Sequence, residues 1–372
     1  MNSLRKNLFP VDGFVLDLQW FGGIWPSSSS HMGGLTWDPG HFPNPKSRIA
    51  KLAEQGIGLV TIEESYVSQN LESYAQMAEK SFLVQKCQNC EPVDLGEKWW
   101  GKGGMVDWTN PSAADYWHDE KRQPLVDVGI LGHWTDLGEP ENFESSAYYY
   151  GIRDQGLHQQ EEVHNLYNLS WSERIARGYS RNAVERRPFI LSRSGTSGSQ
   201  RYGVSMWSGD MASNFMSLQA QQVVAGQMSL SGMDYFGSDI GGFGRGNIGS
   251  DLDALYTRWF AAGSLLDVPL RPHTENLCNC KETAPDRVGD RASNLANLRL
   301  RYALSPMLYS LAYRAHLFGE AYAPPLVYAY QFDPQARQVS DQRLLGKDLL
   351  VAPVMGRQEE QRDVYLPPGK WI

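Results

Sequence analysis

The stretch GILGHWTDLGEPENF, from Gly129 to Phe143, decides the fold. A short, mostly apolar run, Val126 to Leu131, leads into His133, Trp134, Thr135 and Asp136, and the chain then breaks at Gly138 and Pro140. An apolar run that ends in a carboxylate beside an aromatic is how a buried parallel strand delivers a charged side chain to the mouth of a barrel. A second stretch repeats the arrangement: Ser205, Met206, Trp207, Ser208, Gly209, Asp210. Helix capping would account for either aspartate alone. Two carboxylates, each close behind a Trp at the end of a strand-like segment, point instead to glycoside chemistry.

Working outward, strand-like and helical segments alternate. Phe14 to Phe21 reads as a strand, Pro45 to Gln55 as a helix stopped at Gly56, and Ile57 to Ile62 as a strand ending in Glu63-Glu64. Helical segments follow at Asn70 to Lys80 and Pro111 to Gln123, then Trp171 to Ala183. Arg187 to Ser194 is a strand, Asn214 to Ser229 a helix and Asp234 to Gly237 a short strand. Asp251 to Ala262 and Leu295 to Phe318 are helical, the latter broken near Pro306. Such alternation calls for parallel strands with crossover helices. Asp17, Glu63, Asp136, Arg193, Asp210 and Asp239 fall at or near strand C-terminal ends, which favours a (β/α)8 barrel over a doubly wound sheet. The spacing Gly244-x-Gly246-x-x-Gly249 matches a dinucleotide fingerprint, but a turn from Ser238 to Phe243 separates it from any strand, so that reading is rejected. After Ala321, Leu326 to Tyr328, Leu349 to Val354 and Val364 to Leu366 read as antiparallel strands of a small β domain.

The chain has 372 residues, 41% of them hydrophobic, 12 Trp and 18 Tyr. A mean hydropathy of -0.44 argues for a soluble protein. The net charge of -8 disfavours nucleic acid and anionic membranes as partners. No apolar stretch is long enough to span a bilayer, and the first residues lack a signal peptide, so a cytoplasmic location is expected. The four cysteines fall as Cys87, Cys90 and Cys278, Cys280. Their ligand type suits zinc, but the pairs lie far apart and the second is C-x-C, so reduced structural thiols are expected. No metal or cofactor is expected.

These motifs, in this order, resemble glycoside hydrolase family 31, the α-glucosidase and α-xylosidase family. The resemblance rests on Trp134-Thr135-Asp136 with Glu139-Pro140, Arg187 to Ser194 and Trp207-Ser208-Gly209-Asp210. It continues through Ser238 to Phe243, Arg258-Trp259-Phe260, Arg271 with His273, and Leu345 to Val354. It implies Asp136 as nucleophile and Asp210 as general acid/base. It further implies that Asp17, Arg193, Asp239 and His273 hold the sugar between aromatic walls Trp134, Trp207 and Phe243. The substrate implied is an oligosaccharide or other α-glycoside. Hydrolysis would run by double displacement with retention, and Asp210 would keep its proton through apolar walls and the charge of Asp136. A transglycosylase is the alternative, with Glu63-Glu64, Trp99-Trp100 and the loop Gly22 to Gly40 building acceptor subsites. A further alternative is an inactive glycan-binding remnant.

The pattern departs from the family at Gly138, at Met211 and around His273. Measured against the resemblance, the chain is expected to be a barrel (residues 1–320) lacking its first strand. The start of an antiparallel β-sandwich domain (321–372) would follow it. Such a chain expressed alone is expected to be poorly soluble or inactive, because an open barrel exposes strand edges.

Overall fold

Parallel strands that alternate with helices hold the core of the protein, and the computed structural model describes residues 1–151, 158–246, 248–275 and 280–372. The chain folds as two compact units, one of residues 12–204 and one of residues 1–11 with 205–372.

In the first unit the strands Gly13–Leu16, Gly58–Glu64, Gly132–Asp136 and Phe189–Ser192 pair side by side, all parallel. The register sets Val15 against Val60, Glu64 against Asp136, and Trp134 against Leu191. Successive side chains alternate across a strand. Ile62, Glu64, Trp134 and Asp136 therefore share one face, and Thr61, Glu63, His133 and Thr135 share the other. On that other face lie the helices. Trp171, of helix Tyr167–Arg181, donates to Glu63, and Ser192 donates to Asn168 of the same helix at 3.0 Å.

The helix from Pro111 starts as its sequence suggests: Asn110 Oδ1 accepts from the Ser112 and Ala113 N–H groups, and Pro111 fills the first helical position. It does not end where expected. After Trp117 the backbone widens into a π-helical turn, His118–Arg122, and continues helically from Gln123 to Val128. Val126 is thus helical, and Val126 to Leu131 is not the strand that its apolar character suggested. Gly129, at φ +100°, ends the helix in the left-handed region, and the strand begins three residues later at Gly132. The turn His118–Arg122 brings Arg122 onto Glu63, where it donates through Nε and Nη2 at 2.7–2.9 Å.

In the second unit, strand Val204–Trp207 pairs in parallel with Phe236–Gly237, and Asp239 continues the pattern through a parallel bridge to Arg271. Asn214 caps helix Phe215–Leu230 and Asp290 caps helix Arg291–Ala303, each accepting from the third residue along at 2.7 Å. The helical segment expected from Leu295 to Phe318 is broken near Pro306 as expected: one helix ends at Ala303, and a second runs Ser305–Phe318. Leu218, Ile240, Leu255, Trp259 and Phe260 belong to an apolar cluster of this unit.

The C-terminal segment holds one antiparallel pair, Arg343–Leu345 with Leu349–Val351. Leu326–Tyr328 is a 3-10 turn rather than a strand, and Val364 to Leu366 is not in a strand. Apolar runs of three residues do not separate strand from turn by pattern alone. Cys87 and Cys90 form a disulfide, not the reduced thiols expected. Of the second pair, Cys278 lies outside the described residues. No helix among the described residues is long and apolar enough to cross a membrane.

Candidate active site

The strand ends of the first unit carry a group of acids and one arginine. Asp136 closes its strand, and the next residue, Leu137, takes φ +53°, a left-handed conformation costly for a branched side chain, so the backbone turns abruptly away. Gly138 follows because space demands it: a Cβ there would stand 2.3 Å from Asn168 Nδ2, which belongs to a buried residue. Arg193, one residue past its own strand, places Nη1 3.6 Å from Asp136 Oδ1 and donates through Nε to Glu139 at 2.8 Å. Asp136 and Arg193 are both mostly buried, at 17% and 18% side-chain exposure. Trp134 is buried two residues before Asp136 on the same face.

Asp17 takes the capping role as well as a place at the strand end. It follows strand Gly13–Leu16, and its Oδ1 accepts from the Leu18 N–H at 2.7 Å at the start of a 3-10 turn, Leu18–Phe21. The expected strand Phe14 to Phe21 is therefore shortened, because this cap turns the chain.

The two glutamates at the end of Gly58–Glu64 are not surface groups, so they build no acceptor subsite. Both are 1% exposed. Burial works against the charge of Glu63, but Arg122, His133 and Trp171 together outweigh it and hold the carboxyl below its usual range. The His133 ring is pushed down to about 3 by burial, against the pull of Glu63, so it is neutral and serves the helix-facing network, bonded to Tyr179 at 3.0 Å. Glu64 is the opposite case. Burial first, then the neighbouring Asp136 and Asp17, raise its carboxyl well above the usual range, with Arg193 opposing. Sequence reasoning singled out Glu63 alone as the strand-end charge and gave Glu64 a part only in acceptor subsites. The signal was the two-residue period, which sets Val60, Ile62 and Glu64 on one face.

Of the tryptophan pair, Trp100 is fully buried and stacked on Tyr66 with ring centroids 5.1 Å apart, so it belongs to the core. Trp99 is 40% exposed and donates to Glu141, in the loop that follows Asp136, at 3.3 Å.

The second unit gathers the remaining candidates. Three loops are laced together: Phe243 and Gly244 donate backbone N–H to Met211, and Glu275 N–H and Thr274 Oγ1 donate to the Phe243 carbonyl. This ties the loop bearing Asp210 to those bearing Phe243 and His273. Gly242, at φ +82°, is required here, since a Cβ would meet Ser213 Cα at 2.6 Å. Phe243 lies against the His273 ring, centroids 5.3 Å apart. Burial and Arg271 push His273 down to about 3, so its imidazole is neutral. Asp239 is 1% exposed and pairs with Arg271, whose Nη2 donates to Oδ1 at 2.5 Å. The same guanidinium lies over the Trp207 ring, 4.8 Å from its centroid. Arg271 was read only as part of a motif, yet it joins Asp239 to Trp207. Asp210 itself is exposed, so apolar walls do not enclose it within its unit. Among the described residues no cluster of three or more His, Cys, Asp or Glu could hold a metal ion.

The family model described as glycosyl hydrolases family 31 TIM-barrel domain matches residues 1–311, and that of the family 31 C-terminal domain matches residues 319–372. Alpha-glucosidase 2 of Bacillus thermoamyloliquefaciens is 31% identical over 98% of this chain and 45% of its own length. Neutral alpha-glucosidase C of Mus musculus is 33% identical over 90% of this chain and 37% of its own. The chain thus spans less than half the length of either relative. Among solved structures, a Flavobacterium johnsoniae GH31 dextranase complexed with glucose superposes with a TM-score of 0.84 at 28% identity. The match covers 99% of this chain and 45% of that one. A GH31 alpha-xylosidase from a soil metagenome, complexed with xylose, also gives 0.84 at 28% identity, over 99% and 55%.

Proposed function

We propose that this chain, which belongs to glycoside hydrolase family 31, carries the catalytic (β/α)8 barrel of a retaining α-glycosidase acting on α-glucosides or related oligosaccharides. The barrel would run through residue 320 and the C-terminal domain from 321. The observation that carries the proposal is the pairing of a strand-end Asp136 with the Arg193 guanidinium at 3.6 Å. A nucleophile must be ionised when it attacks, and a neighbouring cation favours the charged form.

Asp136 attacks the anomeric carbon while Asp210 gives a proton to the leaving oxygen. Water, deprotonated by Asp210 in its second role, then releases the sugar with its configuration retained. Such a mechanism requires carboxyl groups about 5–5.5 Å apart. Asp17, Arg193, Asp239 and His273 hold the sugar hydroxyls. His273, neutral because burial and Arg271 depress it to about 3, offers one ring donor and one acceptor across the working pH range. Trp134, Trp207 and Phe243 supply ring faces.

The deciding experiment follows an aryl α-glucoside by proton NMR: the first product anomer should be α, and Asp136→Ala should abolish turnover. A first product with inverted configuration would overturn the reading. A second reading, transfer to a sugar acceptor, is favoured by the exposed Trp99, a platform for stacking that contacts Glu141 in the loop following the nucleophile.

A further inference from the structure

Glu63 and Glu64 are consecutive, equally buried and oppositely served. Glu63 takes the face on which Arg122 and Trp171 donate to its carboxylate. Glu64 takes the other, where neither of its oxygens has a hydrogen-bond partner among the described residues. Its register partner on that face is Asp136. A buried ionised carboxylate with no donor is so unfavourable that the group takes up a proton instead. Two adjacent carboxyls, moreover, do not both ionise readily. Of the two, Asp136 has the cation within 3.6 Å and is the more exposed, at 17% against 1%.

We propose that Glu64 is a positioning residue, which carries a proton in the working enzyme and, with its unpartnered carboxyl turned toward its register partner, donates it as a hydrogen bond to the Asp136 carboxylate. The proposal rests on reading Asp136 as the nucleophile. A neutral donor at this place supports the attacking carboxylate without adding a second negative charge behind it. It also restrains which carboxylate oxygen faces the substrate. The groups that face Glu64 agree with its keeping the proton. Burial acts first, then Asp136 and Asp17; Glu141 adds to these, and Arg193 opposes them. Tyr66, two residues on and itself pushed up by burial, stays protonated and adds no charge.

Two variants of Glu64 and the infrared spectrum test it. Glu64→Leu removes the donor, and should lower kcat/KM about tenfold or more while moving the acid limb of its pH profile up by roughly one unit. Glu64→Gln keeps a neutral donor of the same shape. It should recover most of that loss, with the acid limb where the parent has it. An acid limb in Glu64→Gln moved down by about a unit would mean that a negative charge had been removed, and would overturn the proposal. So would Glu64→Leu with the parent's profile.

The infrared spectrum of the unliganded parent chain needs neither turnover nor a variant. It should show, at neutral pH, the carbonyl band of a protonated carboxylic acid that shifts when glutamate is isotope-labelled. In Asp136→Asn that band should disappear at a lower pH than in the parent, because the neighbouring charge is gone. A missing band, or one that titrates identically in both, overturns the proposal whether or not the chain hydrolyses a glycoside. Full turnover by Asp136→Ala would instead fault the functional reading itself.

Discussion

Arg271 donates to Asp239 at 2.5 Å with both side chains nearly out of water, at 7% and 1% exposure. The pair sits on the bridge that extends strand Phe236–Gly237, and the arginine stacks over Trp207. Breaking one partner of a buried pair leaves the other charge uncompensated. Asp239→Ala is therefore expected to lower the unfolding free energy by about 3–5 kcal/mol, measured by chemical denaturation. The double variant Asp239→Ala/Arg271→Met, which removes both charges, should lose less than Asp239→Ala alone. Equal losses would show that the charge left behind is not the cause.

Arg193 reaches two carboxylates, Asp136 and Glu139. Hydrogen bonds to charged groups contribute about 1.5–3 kcal/mol, so Arg193→Met should lower kcat/KM by roughly 10–100-fold. The unfolding midpoint should move little by comparison, because the residue is at a strand end beside solvent. A variant that loses stability but not rate would make Arg193 a structural ion-pair partner only.

The acid and nucleophile roles separate by leaving group. With Asp210→Ala, a substrate whose leaving group departs readily should still glycosylate the enzyme, since that step needs little proton donation. A natural disaccharide should lose about 10²–10⁴-fold. Pre-steady-state kinetics on both substrates decides it; equal losses in the first step would remove Asp210 from the acid role.

Asp267 gives a pH-dependent stability. Burial raises its carboxyl from 3.8 to about 6, against Arg343 and Arg301, while Ser238 donates to it. The folded state binds this proton more tightly than the unfolded. Its contribution is therefore fully present below about pH 4 and is lost as the pH rises through about 6. Asp267→Asn does not titrate, so it should gain on the parent across that window, by up to about 3 kcal/mol. Urea unfolding at several pH values reads the difference, and a gap independent of pH would refute it.

Trp99, exposed and held by Glu141, tests for an acceptor platform. An aromatic contact contributes about 0.5–1.5 kcal/mol, so Trp99→Ala should raise KM for an oligosaccharide roughly 2–10-fold. KM for an aryl monosaccharide should stay put. A parallel rise for both substrates would place Trp99 outside any acceptor site.

Alternation of strand and helix, the strand-end placement of Asp136, Arg193 and Asp239, and the helix stop at Gly56 were legible in the amino-acid sequence. Each rests on local rules: the two-residue period of a strand and the glycine that ends a helix. The ordered motifs were enough to indicate the family. Where local rules are ambiguous the reading slipped, as at Val126 to Leu131, where a short apolar run serves a helix end as well as a strand.

Tertiary structure alone decided which of two adjacent glutamates is paired. Glu63 and Glu64 have the same chemistry and the same depth. What separates them is Arg122, delivered from a π-helical turn, and Asp136, delivered from a neighbouring strand. It likewise decided that Asp239 answers to Arg271 and that Trp100 is core while Trp99 faces solvent. Charge state depends on the partners and burial that folding brings to a side chain, and those come from residues distant in the chain.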